Sequence, residues 1–180
     1  WNPDSVDSLA KPCYDFRSMA PAMAYLQEIS NALNEMGWGV YQADHEDANG
    51  QFEINFDYSD ALTTADRITF FKMATSQLAK KYGAIATHMA KPFTDRSGSG
   101  AHIHFHLADA ETGDNLFLDE SDPRGLGLSG VAYSFIGGIM DHAPALCGVT
   151  SPTVNCYKRL QVGAASLHGS MSGYTWTPAF

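Results

Sequence analysis

Between residues 16 and 82 the spacing of apolar side chains changes twice. Those changes restrict the fold more than any other property of the sequence. Ala22, Leu26, Ile29, Leu33 and Met36 recur at steps of three and four, the period of an amphipathic helix over residues 16–36. Asp15 is placed to cap its start and Gly37 its end. The period then drops to two. "GWGVYQADHE" and "GQFEINFDY" read as strands joined by the turn-like "DANG", with Phe52, Ile54 and Phe56 on one face and Gln51, Glu53 and Asn55 on the other. Ile68, Phe71, Thr75, Leu78 and Tyr82 restore the helical period over residues 60–82, between Asp60 and Gly83.

Beyond Gly83 the strand pattern returns in "AIATHMA", "GAHIHFHLA" and a short "NLFLD", with "ETGDN" as the turn joining the last two. Ser129 is placed to cap a helix running through Met140, and Pro144 to open the next one. Hairpin-linked strands with helices packed on them predict an α+β fold with a largely antiparallel sheet. Residues 1–13, "WNPDSVDSLAKPC", lack periodicity and read as a linker or loop ahead of a domain over 14–180.

Charge narrows the partners. Acids outnumber bases by 20 to 11, giving a formal net charge of −9 with no basic cluster, so nucleic-acid binding is not expected. A polyanion such as ATP would need its charge and that of the protein screened, and divalent cations are the obvious means. There is no apolar run of about 18 residues and no signal-like segment, so neither a membrane span nor secretion is indicated. Cys13, Cys147 and Cys156 lack CxxC spacing and read as free thiols of a reducing, cytoplasmic compartment.

Three constellations carry chemistry-bearing side chains. Glu46 and Glu53 end one strand and stand on the polar face of the next, so a short hairpin would bring them to one side. They are either solvated edge acids or ligands of a hard cation such as Mg²⁺ or Mn²⁺. His102, His104 and His106 alternate after "SGSG". An HxH pattern serves metal sites, nucleotide sites and plain polar faces alike, and the glycine-rich turn ahead of it would let backbone N–H groups approach an anion. A mixed Glu/His set suits Mn²⁺ or Mg²⁺ better than structural zinc. Lys158 and Arg159 stand together in a base-poor chain, either as a solvated pair or with the arginine forked onto a substrate carboxylate.

In order along the chain, "DHEDANGQFEINFDYSDALTTADR", "AKPFTDRSGSGAHIH" and "GLGLSGVAYSFIGGIMDHAPALCGVTSPTVNCYKRL" resemble the catalytic domain of the glutamine synthetase family across roughly residues 11–160. The resemblance implies that domain's α+β fold and a two-step ligase. ATP phosphorylates the γ-carboxylate of glutamate, and ammonia or a small alkylamine then displaces phosphate from γ-glutamyl phosphate. It implies Mg²⁺ or Mn²⁺, and a homo-oligomeric ring with sites between subunits. By position, Glu46 and Glu53 resemble ligands of one cation and His102 a ligand of a second. His104 and Tyr58 resemble nucleotide contacts. Gly98 resembles a backbone contact to glutamate, and Arg159 the arginine that grips a glutamate carboxylate.

The chain also departs from the family pattern. Ser97 stands where many members have an asparagine touching glutamate, and Asp44 where many have a second histidine beside His45. Members commonly continue "VPGYEAP" after "YKRL"; here "QVGAASLHGSMSGYTWTP" follows, and no Asp or Glu occurs after Asp141. The acid that assists ammonium is therefore absent from this segment, and Tyr174 and Trp176 would suit a less polar amine. Some members form γ-glutamylamides such as γ-glutamylmethylamide. The family's small N-terminal β-domain, downstream arginines and last metal-binding glutamate also lie outside these residues, so the chain by itself is expected to be inactive. A metal hydrolase built on HxH, and a non-catalytic structural or regulatory member, are the alternatives.

Overall fold

The structure is a computed structural model that describes residue 9 and residues 11–160. The expectations for the remaining N-terminal linker residues, and for Tyr174 and Trp176, lie outside the described residues. Helix α1 (Phe16–Met19) is capped by the Asp15 carboxylate, which accepts from the Ser18 amide. A 3₁₀ turn, Ala20–Ala22, separates it from helix α2 (Met23–Glu35). The sequence predicts one helix here. Pro21, at the start of the turn, has no N–H to continue the ladder and marks the interruption.

Strands β1 (Val40–His45) and β2 (Phe52–Phe56) form an antiparallel hairpin. Its register sets Ala43 opposite Ile54, Asp44 opposite Glu53 and His45 opposite Phe52. Helix α3 (Ala61–Lys81) starts at Asp60, whose carboxylate accepts from Thr63, and gives way to Gly83 at φ 65°. The core sits where these elements meet. Ile29 and Leu33 of α2 are fully buried with Trp38, and Val40, Ile54, Phe56, Phe71, Ala74 and Leu78 pack around them. The two periods of the sequence thus converge on one apolar cluster, which holds the hairpin against α2 and α3.

The second half departs from the sequence pattern in two ways. Among the described residues the only sheet is the two-stranded β1–β2. Residues 84–90 and 100–107 run outside regular structure, and Ala108–Asn115 and Leu118–Leu128 are isolated bridges. Alternation of Ile103, Phe105 and Leu107 with histidines satisfies the side-chain rule for a strand, but a strand also needs a neighbour for its N–H and C=O groups. Ile103 and Phe105 are exposed accordingly.

The other departure is helix α4 (Gly130–Thr150), which is one helix with Pro144 inside it, where two were expected. Ser129 does cap it, accepting from Ala132. Helix α5 (Val154–Arg159) follows, with the Thr153 side chain accepting from the Cys156 amide. Among the described residues no helix is long and apolar enough to cross a membrane.

Candidate functional site

The hairpin turn brings the first two candidates together. The Glu46 amide donates to the Gln51 carbonyl at 2.8 Å and the Gln51 amide to the Ala48 carbonyl at 3.0 Å, closing the loop between the strands. His45 is buried beneath it, its ring edge-on to Phe52 and its Nδ1 2.6 Å from the Glu46 carbonyl oxygen. Glu46 and Glu53 consequently face each other, with a hydrogen bond between their carboxyls. Burial pushes the Glu46 carboxyl above the usual range, and the charge of Glu53, that hydrogen bond and the charge of Asp44 push it further. Among the described residues no three His, Cys, Asp or Glu side chains gather closely enough to hold a metal ion, so His102 is not part of this carboxylate group.

A second grouping forms around Arg159, and the glycines of "SGSG" make it possible. A Cβ on Gly98 would lie 2.5 Å from the Ala90 carbonyl oxygen and 2.9 Å from Cδ of Arg159. One on Gly100 would lie 2.9 Å from Nη2 of Arg159. The loop can lie along the arginine only because these positions lack side chains. Arg159 Nε is buried and has no hydrogen-bond acceptor among the described residues. Ser97 hydrogen-bonds the Asp47 carboxylate, which also lies 3.8 Å from Lys11 Nζ.

The two groupings are joined. Gln51 Nε2 donates to the Gly98 carbonyl at 3.0 Å while its Oε1 accepts from the Ala48 amide at 3.0 Å. One side chain therefore spans the carboxylate hairpin and the glycine loop. Sequence reasoning did not single out Gln51. Its place on the polar face beside Glu53 was visible, but its partner lies 47 residues away. Lys91 and Asn155 were missed for the same reason, being paired across 64 residues.

The remaining candidates stand apart from this cluster. His102 and His104 are exposed. Tyr58 is also exposed, with its ring edge-on to His106 at 5.5 Å. The histidine row is therefore differentiated: His106 meets an aromatic, and the other two face outward.

Residues 3–172 match the family described as glutamine synthetase, catalytic domain. The glutamate–methylamine ligase of Methyloversatilis universalis is 48% identical over 177 residues, covering 98% of this chain and 38% of that protein. A glutamine synthetase of Rhizobium leguminosarum bv. phaseoli is 44% identical, covering 97% of this chain and 39% of its own length. Solved structures of GmaS, without ligand and with ADP, superpose with TM-scores of 0.83 and 0.82 at 48% and 47% identity. They cover 89% and 90% of this chain and 37% and 38% of theirs. The chain thus spans about two-fifths of the length of these relatives. The metal-hydrolase and non-catalytic readings find no support among them.

Proposed function

The chain belongs to the glutamine synthetase catalytic-domain family, and from that premise we propose that its protein is an ATP-dependent ligase joining the γ-carboxylate of glutamate to a small amine. The observation that carries this reading is the buried Arg159 Nε, a donor with no acceptor among the described residues, beside glycines too close to it for side chains. A planar guanidinium held against bare backbone is suited to a carboxylate. The reading assigns Arg159 to a glutamate carboxylate. Gly98 and Ser97 form the wall on which that substrate rests.

Glu46 and Glu53 fit a hard divalent cation, Mg²⁺ or Mn²⁺. They are oxygen donors; burial and then the charge of Glu53 hold the Glu46 carboxyl up, and a cation held by the pair would offset that charge. A cation held there would supply positive charge to offset that of the phosphate groups. The chain's own part is to fix the two carboxylates on a closed turn and to hold glutamate at a set distance from them through Gln51. Assignment of His102 to a second cation, and of His104 and Tyr58 to the nucleotide, rests on their positions in the motifs. That GmaS was solved in complex with ADP supports nucleotide use by the protein. Cytoplasmic location and a ring of subunits with shared sites belong to the same reading.

For the acceptor we infer methylamine. The relative at 48% identity bears that activity in its name, and the sequence from Leu160 to Phe180 carries no acid to attract ammonium. The test uses the protein at the full length of its relatives, with glutamate, ATP and Mn²⁺ or Mg²⁺. Phosphate release is measured with ammonia, methylamine and ethylamine in turn. The strongest stimulation is expected from methylamine. Stimulation by ammonia alone would overturn the acceptor, and release that no amine stimulates would overturn the ligase.

A further inference from the structure

We propose that Asn155 is a positioning residue, setting how Arg159 lies against the Gly98–Gly100 loop; the inference rests on the glutamate-binding role given to Arg159 above. Asn155 and Arg159 are four residues apart on α5, so they share one face of that helix. The two do different work on the same loop. Asn155 Oδ1 accepts from the Lys91 amide at 2.7 Å, and its Nδ2 donates to the Lys91 carbonyl at 2.8 Å. Both polar groups of one residue's backbone are thereby held by a single side chain. Lys91 in turn is only 6% exposed, and its ammonium hydrogen-bonds the Arg96 carbonyl. The Ser99 amide donates to the Ala90 carbonyl at 2.9 Å, so the loop from Ala90 to Ser99 is closed at its base.

The loop is therefore a closed unit with one reciprocal tether to α5, at Lys91, and one close contact with it, at Arg159. Asn155 fixes the first and so fixes the second. The clearance at the contact leaves no room for error, since even a methyl on Gly98 would overlap Arg159 Cδ. A primary amide is the side chain that can both accept from an N–H and donate to a C=O of one residue. Neither alanine nor aspartate reproduces the pair. Asn155 stays out of contact with substrate in this account and acts through the arginine.

The test compares Asn155→Ala and Asn155→Asp with the unsubstituted full-length protein. Expected for Asn155→Ala is a rise of about tenfold in the KM for glutamate, equivalent to about 1.4 kcal/mol. The KM for ATP should stay within about twofold, because uniform damage to the fold would move both constants. Asn155→Asp, which keeps the acceptor and loses the donor, should fall between. An unchanged glutamate KM, or parallel rises in both constants, would overturn the proposal. If Asn155→Ala does not fold, the same split measured on Asn155→Asp decides.

Amide exchange separates this inference from the ligase reading. The Lys91 amide should exchange faster in Asn155→Ala while amides inside α3 do not. If the unsubstituted protein shows no glutamate-dependent turnover, the ligase reading has failed and this inference, which depends on it, fails with it. Faster exchange would then establish the tether alone. Unchanged Lys91 exchange beside intact turnover overturns the inference and leaves the ligase reading standing.

Discussion

At the scale of single residues, proximity across long sequence separations decides what the site can do. Gly98 is the clearest case. The Cβ it lacks would sit 2.5 Å from a backbone oxygen, which has no freedom to move aside as a flexible side chain would. Gly98→Ala is therefore expected to cost about 1–3 kcal/mol of stability, the usual cost of overpacking, and to weaken glutamate binding by pushing the loop off Arg159. Calorimetric titration of glutamate into the full-length protein checks this, and an unaltered affinity would remove Gly98 from the glutamate wall. Much of the residue-level chemistry was legible in sequence. The alternation of β2 put Glu53 on the polar face, and the hairpin turn brought Glu46 to it. What the sequence does not display are the links between groups. Gln51 to Gly98 and Asn155 to Lys91 are pairings of ordinary amides with backbone atoms far along the chain, and no local pattern marks them.

At the scale of elements, the same contrast separates helices from strands. The apolar steps of three and four located α2 and α3, and Asp15, Asp60 and Ser129 cap the helices they precede. A helix satisfies its backbone internally, so a local pattern suffices. The histidine row had the local pattern of a strand and among the described residues has no ladder. Strand pairing depends on a neighbour, which local sequence does not specify. The segment before α4 is organised differently, around one carboxylate. Asp122 is buried; that burial pushes its carboxyl up, but bonds from the Tyr133 hydroxyl and the Arg124, Leu128 and Leu126 amides outweigh it and hold it at about 2. Tyr133 lies on α4, with Arg124 over its ring at 4.5 Å, so this carboxylate ties the turn to the helix.

The pH consequence follows from the sign of that shift. An unfolded aspartate titrates near about 3.9, above the folded value, so the contribution is fully present above about pH 4 and fades as pH falls through about 2. Asp122→Asn should lower Tm at neutral pH and flatten its decline on acidification. Thermal melts of both proteins from neutral pH to about pH 3 check this. Parallel declines would show that Asp122 does not carry the effect.

At the scale of the whole molecule, the described core is small for the apolar surface around it. Ile29, Leu33 and Trp38 form the buried centre beneath α2, α3 and the hairpin. Helix α4, by contrast, exposes Val131, Ile139, Met140, Leu146 and Val149, and α5 adds Val154 and Tyr157. Apolar surface on this scale is normally covered by further protein. The relatives have the chain to do so, since these residues account for 38% of the methylamine ligase's length and 39% of the rhizobial synthetase's. The groups proposed to act on glutamate ride on elements of both kinds. Glu46 and Glu53 sit on the hairpin beside the core, whereas Arg159 sits on α5, which has no fully buried residue. Holding them in register to within about an ångström requires α5 to be fixed as firmly as the hairpin. The 180 residues expressed alone are accordingly expected to show no ATP-dependent γ-glutamyl transfer under conditions in which the full-length protein is active. The measurement is amine-stimulated phosphate release from both proteins side by side. Turnover by the 180 residues would mean that α5 is held without the covering chain.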